Sequence, residues 1–506
     1  MNKIKDLTSE KAATVGVFAL LVLYPLVITD KYFNITFTRF MFFTVASAVF
    51  LVVCILLKIK AVDKPIKISR NCFSSFSTAD ISFFAFLLIS VVSSVSSSHG
   101  MALTLSGEGG RRMGLIMTGA MFFAYIFISK FYKIREYEFI FFGAVGAFAA
   151  VFGLLQFIGF NPFGLLDGLS ELDSVRFISF MGNINIYSSY ICLVLPFAMY
   201  MFCFSEKKCS SVLWLFVLSA AFIGLMTSIS DSGYLGLAAA MVTLAVLTAK
   251  GKKTFQRFFV VVITLFVSAG IFEIIRKAFG NPDHPNSFFN EIVASPWVIA
   301  AGSIASAVII IALNFFDFSE KFYKIISKII IFAAVSAVAV CIGLIVWFTC
   351  FDADAELGKF SYYLRFSQRW GNGRGYVWSK IIEIFKELPL LKQLIGTGPE
   401  TLGYEMISRY NDEMHELFGF HFDNAHNDIL QYLLTVGLFG TLAYIMLVVS
   451  AVKSCIKSQN MLIRAMLLPI IAFFAQSLVN ITQPITTPLF FVFIAFSQCR
   501  ACEKYN

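Results

Sequence analysis

The sequence predicts an all-α fold: a polytopic bundle of about 14 transmembrane helices with a large helical cap on its outer face. Three observations predict it. The 506 residues are 58% hydrophobic and only 14% charged, whereas soluble domains carry roughly 25% charged residues. Apolar stretches of about 20 residues, the length that crosses a hydrocarbon core, recur from one end to the other. A single long segment, residues 350–427, interrupts them.

The expected spans run near 12–29, 38–57, 79–96, 114–130, 138–158, 185–204, 212–229, 233–249, 258–275, 297–316, 329–349, 428–451, 463–481 and 486–499. The first follows Lys3, Lys5 and Lys11, as a signal peptide would. No A-x-A-like cleavage site follows it, however, and a second apolar stretch opens at Thr38, so it reads as the first helix. Cys54, Cys192, Cys203, Cys341 and Cys455 lie in or beside apolar stretches and read as small buried hydrophobes. Cys499 and Cys502 form a lone C-x-x-C with no second pair and no βαβ context, which argues against zinc or redox chemistry.

The basic residues orient the bundle. With the N-terminus inside, the inner segments hold 25 of the 40 Lys and Arg, including Lys58, Lys60, Lys64, Lys67, Arg70, Lys130, Lys133, Arg135 and Lys504. The short outer segments hold seven: Lys31, Arg39, Arg111, Arg112, Arg176, Arg276 and Lys277. This is a positive-inside pattern. It assigns the net charge of +9 to lipid headgroups and not to nucleic acid. The chain thus divides into spans 1–11 (1–349), an extracytoplasmic loop (350–427) and spans 12–14 (428–506). Loops of such length are usually functional when they are not disordered. In this one, Val377, Trp378, Ile381, Ile382, Phe385 and Leu388 recur at helical spacing until Pro389 stops the run. Gly396-Thr397-Gly398-Pro399 is a turn, and 400–418 suits a second helix.

Candidate chemistry concentrates in that loop. Arg365, Arg369 and Arg374 suit a phosphate or pyrophosphate, because a guanidinium donates two parallel hydrogen bonds and keeps its charge. A solvated basic face is the plainer alternative. His415, His421 and His426 follow. His426 sits where the twelfth span should begin, beside Asn424 and Asn427 as helix caps. An imidazole there can take a proton from a hydroxyl or simply cap the helix. His421 and His426 are five apart, so they do not share a helix face, and no H-E-x-x-H occurs. A meeting of His421, Asp423 and His426 in an irregular loop is the only metal arrangement left open, and no metal is expected. Among the spans, Gln156, Gln476, Asn480 and Gln483 suit interhelical hydrogen bonds. Arg176, Asn183 and Asn185 open the sixth span, and Asp231 lies in a short turn. The run from Ser106 to Arg112, with Glu108, Gly109 and Gly110, is Gly-rich and basic but lacks a P-loop pattern.

Three stretches resemble the signature region of the O-antigen ligase and O-antigen polymerase family: GNGRGYVW (371–378), PLLKQLIGTGPETLG (389–403) and DNAHNDILQYLLTVGLFGTLAYI (423–445). Arg374, Trp378, Pro389, Gly396, Gly398, Pro399, His426, Asn427, Gly437, Leu438 and Gly440 match in order and approximate spacing. The stretch from Arg176 to Pro196 resembles the family's R…GN-x-N patch. The resemblance implies a metal-independent inverting glycosyltransferase in the bacterial cytoplasmic membrane, acting on its extracytoplasmic side. It implies a polyprenyl-pyrophosphate-linked glycan as donor, a glycan or lipid hydroxyl as acceptor, and no cofactor. His426 would be the base and Arg374 would hold the pyrophosphate. Arg365, Arg369, Arg176, Asn183 and Asn427 would assist substrate binding. One departure stands out: where many members carry S-R-G, this chain reads SISDSGYLG, with Asp231 in place of a cation.

The chemistry agrees with that expectation. A glycosyl pyrophosphate is already activated, its leaving charge needs preorganised donors, and the acceptor needs a base. A flippase or exporter is the rival reading. It would place polar residues along a path through the bilayer centre, whereas here they concentrate at the outer face.

Overall fold

The computed structural model describes residues 2–61, 76–107, 111–280 and 286–501. Lys64, Lys67, Arg70, Glu108, Gly109, Gly110, Cys502 and Lys504 lie outside the described residues. The fold is helical. Its strands are two-residue pairs, Lys133–Ile134 parallel to Arg500–Ala501 and Phe177–Ile178 antiparallel to Gly182–Asn183.

Eleven helices among the described residues are long and apolar enough to cross a membrane. Three further apolar helices, Leu115–Phe131, Met461–Ser477 and Thr487–Phe496, are shorter and coincide with the other three expected spans. Thr487–Phe496 has 10 residues and is only about 15 Å long at the usual helical rise. The chain before it, from Val479 to Thr486, is irregular. Proline contributes to the shortening: Pro484 precedes this helix and Pro488 lies in its first turn, and proline cannot donate a helical hydrogen bond.

The pillar of the bundle is Ile184–Phe204, whose apolar window is 100% buried. Helix Asp231–Thr248 packs closely against it, because a Cβ on Gly236 would lie 2.6 Å from Cys192 Sγ and 2.8 Å from the Ala472 carbonyl. At the rim, Glu320–Cys350 has none of its apolar window buried by protein, so its apolar surface is left to lipid. Cys341 on that helix is exposed, contrary to the expectation of burial, whereas Cys54, Cys192, Cys203 and Cys455 are buried. Of the polar span residues, Gln156, Gln476 and Asn480 hydrogen-bond to other elements, whereas Gln483 Oε1 is buried without a partner among the described residues. Asn480 donates to the Asn185 carbonyl at 2.9 Å, to Ser189 and Ser232 at 3.1 Å and to Gln476 at 2.8 Å.

The segment between Cys350 and Asp428 has its own small core. Helix Trp370–Glu387 buries Val377, Ile381 and Ile384, and its C-cap Leu388 continues the stripe, at i, i+4, i+7 and i+11. Ile382, expected on that stripe, is exposed. The stripe meets Leu402, Met406 and Met414 of helix Leu402–Phe418.

The expected twelfth span is broken at Val436 into Asp428–Thr435 and Gly437–Lys457. The cause is the Gly396–Pro399 turn. Thr397 N–H donates to the Leu434 carbonyl at 3.0 Å, and Gly398 N–H to the Thr435 carbonyl at 2.9 Å. These carbonyls would otherwise serve a continuous helix. Gly437 has φ +70°, and a Cβ there would lie 2.5 Å from the Gly396 nitrogen. The turn and the G-L-x-G step are therefore two halves of one backbone junction.

Candidate active site

Helix Trp370–Glu387 begins with a kink. Gly371, Asn372 and Gly373 all have left-handed backbone, with φ of 59°, 60° and 89°. Glycine tolerates this, and Gly373 also needs to lack a side chain, since a Cβ would lie 2.5 Å from Phe422. The kink sets Arg374 at the wall of a cavity of about 640 Å³. Arg374 is half-buried, and its Nε is buried without a hydrogen-bond partner among the described residues. Burial works against its charge, while Tyr362 and Asp231 offset part of that cost.

The cavity is amphipathic. Arg374, Asp231, Tyr363 and Trp370 line it, and so do Leu235, Ala238 and Met241. Asp231, Leu235, Ala238 and Met241 recur along one face of helix Asp231–Thr248. The stripe is about 15 Å long at the helical rise, polar at its start and apolar beyond.

His426 lies in the irregular stretch before helix Asp428–Thr435. It has φ +49°, an unusual conformation for a residue with a Cβ and one that tends to mark functional sites. Its neighbours hold it there. Trp378 Nε1 donates to the Ala425 carbonyl at 2.9 Å, Ala425 N–H donates to Gln431 at 3.0 Å, and His426 N–H donates to Asn424 Oδ1 at 2.8 Å. Asn427 caps the helix by accepting from Leu430 N–H at 3.1 Å. Of the two expected caps, Asn427 is the helix cap and Asn424 braces His426. Burial pushes the imidazole down to about 3, helped by Arg374 and Arg111 and opposed by Asp423. His426 is therefore neutral, with Arg374 close enough to influence it. It is not among the residues lining the cavity.

A polar cluster anchors this stretch to the loop after helix Thr78–Val95. Arg111 donates through Nε and Nη2 to the two oxygens of Asp423 at 2.9 and 2.6 Å. Burial alone would raise Asp423, but the Arg111 fork outweighs it and holds the carboxyl low. Glu400, with φ +65°, is pushed up to about 7, chiefly by burial and against the pull of Arg111. His99 pairs with Glu405 at 2.9 Å.

The other expected residues do not line the cavity. Arg365 donates to the Ala355 carbonyl at 2.5 Å. Arg369 and Arg176 are exposed. Asn183 caps helix Ile184–Phe204 by accepting from Asn185 N–H, and it is Asn185 that lines the cavity. His415 and His421 are exposed. No group of three His, Cys, Asp or Glu side chains among the described residues is placed to hold a metal ion. The sequence carries only weak signals for the cluster of Arg111, Asp423 and Glu400: the basic, Gly-rich run that contains Arg111, and Asp423 as a possible neighbour of His421 and His426; Glu400 has none.

Fold and site together define a helical multi-pass membrane protein with an amphipathic cavity lined by an arginine, and a backbone-strained histidine within the electrostatic reach of that arginine. Residues 295–445 match the family model described as O-antigen ligase. The match covers less than a third of the chain and includes Arg374 and His426 but not Asp231. No curated protein matches the chain.

Proposed function

We propose that this protein is a metal-independent, inverting glycosyltransferase of the O-antigen ligase or polymerase kind, working on the extracytoplasmic side of a bacterial cytoplasmic membrane. It takes a glycan from a polyprenyl-pyrophosphate carrier and passes it to a hydroxyl of a glycan or lipid acceptor. The observation that carries this reading is the cavity, which joins a cation, Arg374, to an apolar stripe along the Asp231 helix. A lipid-linked pyrophosphate needs both. The family match over residues 295–445 and the excess of basic residues in the inner segments support it.

In this mechanism Arg374 holds the pyrophosphate, and its unpartnered Nε is one donor for it. The acceptor oxygen attacks the anomeric carbon from the face opposite the pyrophosphate. The new C–O bond forms as the bond to the pyrophosphate breaks, the leaving oxygen keeps the electron pair, and the configuration inverts. His426 takes the hydroxyl proton. Neutrality makes its free nitrogen an acceptor from the outset. Bound pyrophosphate offsets the positive charge of Arg374 and so strengthens the base as the proton moves. Arg365, Arg369, Arg176, Asn183 and Asn427 contribute to substrate binding or to its surroundings.

The test uses detergent-purified protein, a polyprenyl-pyrophosphate oligosaccharide, candidate acceptors and EDTA. Wild type transfers glycan, while His426→Ala and Arg374→Ala remain folded and lose transfer by about 100-fold or more, as removal of a base or of a charge-stabilising donor does. Full activity of His426→Ala overturns its assignment as base. Movement of the lipid-linked glycan across liposomes without transfer favours a flippase.

A further inference from the structure

A pyrophosphate and a prenyl tail account for Arg374 and for the apolar stripe, but not for what lies between them. Asp231 puts a carboxylate into the same cavity. Its oxygens accept one hydrogen bond each, from Ser287 Oγ at 2.6 Å and from the Tyr363 hydroxyl at 2.7 Å. A carboxylate offers about four lone-pair sites, so each oxygen keeps acceptor capacity. Asn185, another lining residue, accepts from Ser230 at 2.7 Å through Oδ1, which leaves its amide NH₂ free to donate.

The wall beside these groups is aromatic and fixed. Trp370 Nε1 donates to the Tyr363 carbonyl at 3.0 Å, and its ring meets Trp378 edge-on at 5.1 Å. Tyr363 is held by Asp231 on one side and by Phe288, 4.9 Å away, on the other. Acceptors, a free amide donor and rigid ring faces are what a pyranose needs. Its hydroxyls donate and accept, and its C–H faces pack on rings.

Arg374 feels the charge of Asp231. When a phosphate occupies Arg374, Asp231 shares its cation with the ligand, and hydroxyl donors from the ligand then satisfy it. A second carboxylate in that place would meet Asp231 with no cation left to separate them.

We propose that this part of the cavity is a sugar subsite, and that Asp231 makes it select an uncharged pyranose over a uronic acid in the donor unit next to the pyrophosphate. The inference rests on the glycosyl-transfer reading for the position of the phosphate, and it adds the class of sugar.

The test uses the full chain in nanodiscs with three probes: farnesyl pyrophosphate, farnesyl-pyrophosphate-linked glucose, and the matching glucuronic acid compound, which differs only at C6. Binding is read by calorimetry and by the fluorescence of Trp370 against a Trp370→Phe control. Wild type binds the glucose compound about tenfold or more tighter than the glucuronate, the difference expected when one like-charge contact is avoided. Asp231→Asn narrows that gap to about threefold or less. Equal binding of the two sugars by wild type overturns the proposal, whether or not the variant folds. So does an unchanged gap in a folded Asp231→Asn. If the gap appears but no acceptor receives sugar, the transferase reading falls and the subsite stands. If transfer proceeds without discrimination, the subsite falls and the transferase stands.

Discussion

Trp378 donates its indole N–H to the carbonyl of Ala425 at 2.9 Å, one residue before His426. A helix of the long loop thereby fixes the backbone of the stretch that carries the proposed base. Trp378→Phe keeps an aromatic, though smaller, side chain and removes the donor. An unsatisfied carbonyl costs about 1–3 kcal/mol, and here that cost falls on the strained conformation of His426. Transfer activity in membranes should fall about tenfold or more, with the expression level unchanged. Wild-type activity would show that the bond does not position His426.

Glu400 offers a test of stability against pH. Its carboxyl is raised from 4.5 to about 7, so the folded protein holds a proton that the unfolded chain releases. That stabilisation is complete below about 4.5 and is lost as the pH rises through 7. It amounts to about 3 kcal/mol at most, at about 1.4 kcal/mol per unit. Glu400→Gln should therefore melt above wild type at pH 8 and together with it near pH 4, as read by thermal unfolding in detergent.

The neutrality of His426 predicts a pH profile. In the Glu400→Gln background, kcat/KM should show no acid limb near 6.5, because the imidazole, held at about 3, stays neutral well below that pH. Arg111→Gln removes one of the two nearby cations. It should move the acid limb upward from about 3, while burial and Arg374, the larger causes, keep it below the ordinary histidine value, as initial rates at acid pH measure. An acid limb at 6.5 before Arg111 is changed would contradict the electrostatic account.

Arg111 and Asp423 should also couple. The Asp423 side chain is 57% exposed, so solvent screens the pair and the expected coupling is only about 0.5–1 kcal/mol. A double-mutant cycle of Arg111→Gln and Asp423→Asn on thermal unfolding measures it. Strict additivity would reduce the fork to a surface contact.

Two glycine substitutions separate backbone strain from backbone collision. Gly437→Ala and Gly419→Ala both place a Cβ at positive φ, but nothing lies within 4 Å of the Cβ at Gly419, whereas at Gly437 it strikes the Gly396 nitrogen. Gly419→Ala should cost about 1–2 kcal/mol and accumulate normally. Gly437→Ala should fail to yield folded protein, as judged by monodisperse elution from a sizing column.

The sequence by itself determined the solvent and much of the architecture. Apolar length and the placement of Lys and Arg depend on composition along the chain, so they survive without knowledge of any contact. Periodicity likewise fixed the helix around Val377 and Ile381, and residue type pointed to Arg374 and His426. Apolar length did not reveal where proline and polar residues shorten a helix, as at Thr487–Phe496. The break at Val436 was hidden because its cause is backbone pairing with a turn some 37 residues earlier, between Thr397 and Leu434. The pairing of Arg111 with Asp423, 312 positions apart, and the meeting of Asp231 with Tyr363 were decided only in three dimensions. Burial and the proximity of charges set the protonation of Glu400 and His426, and neither is a property of local sequence.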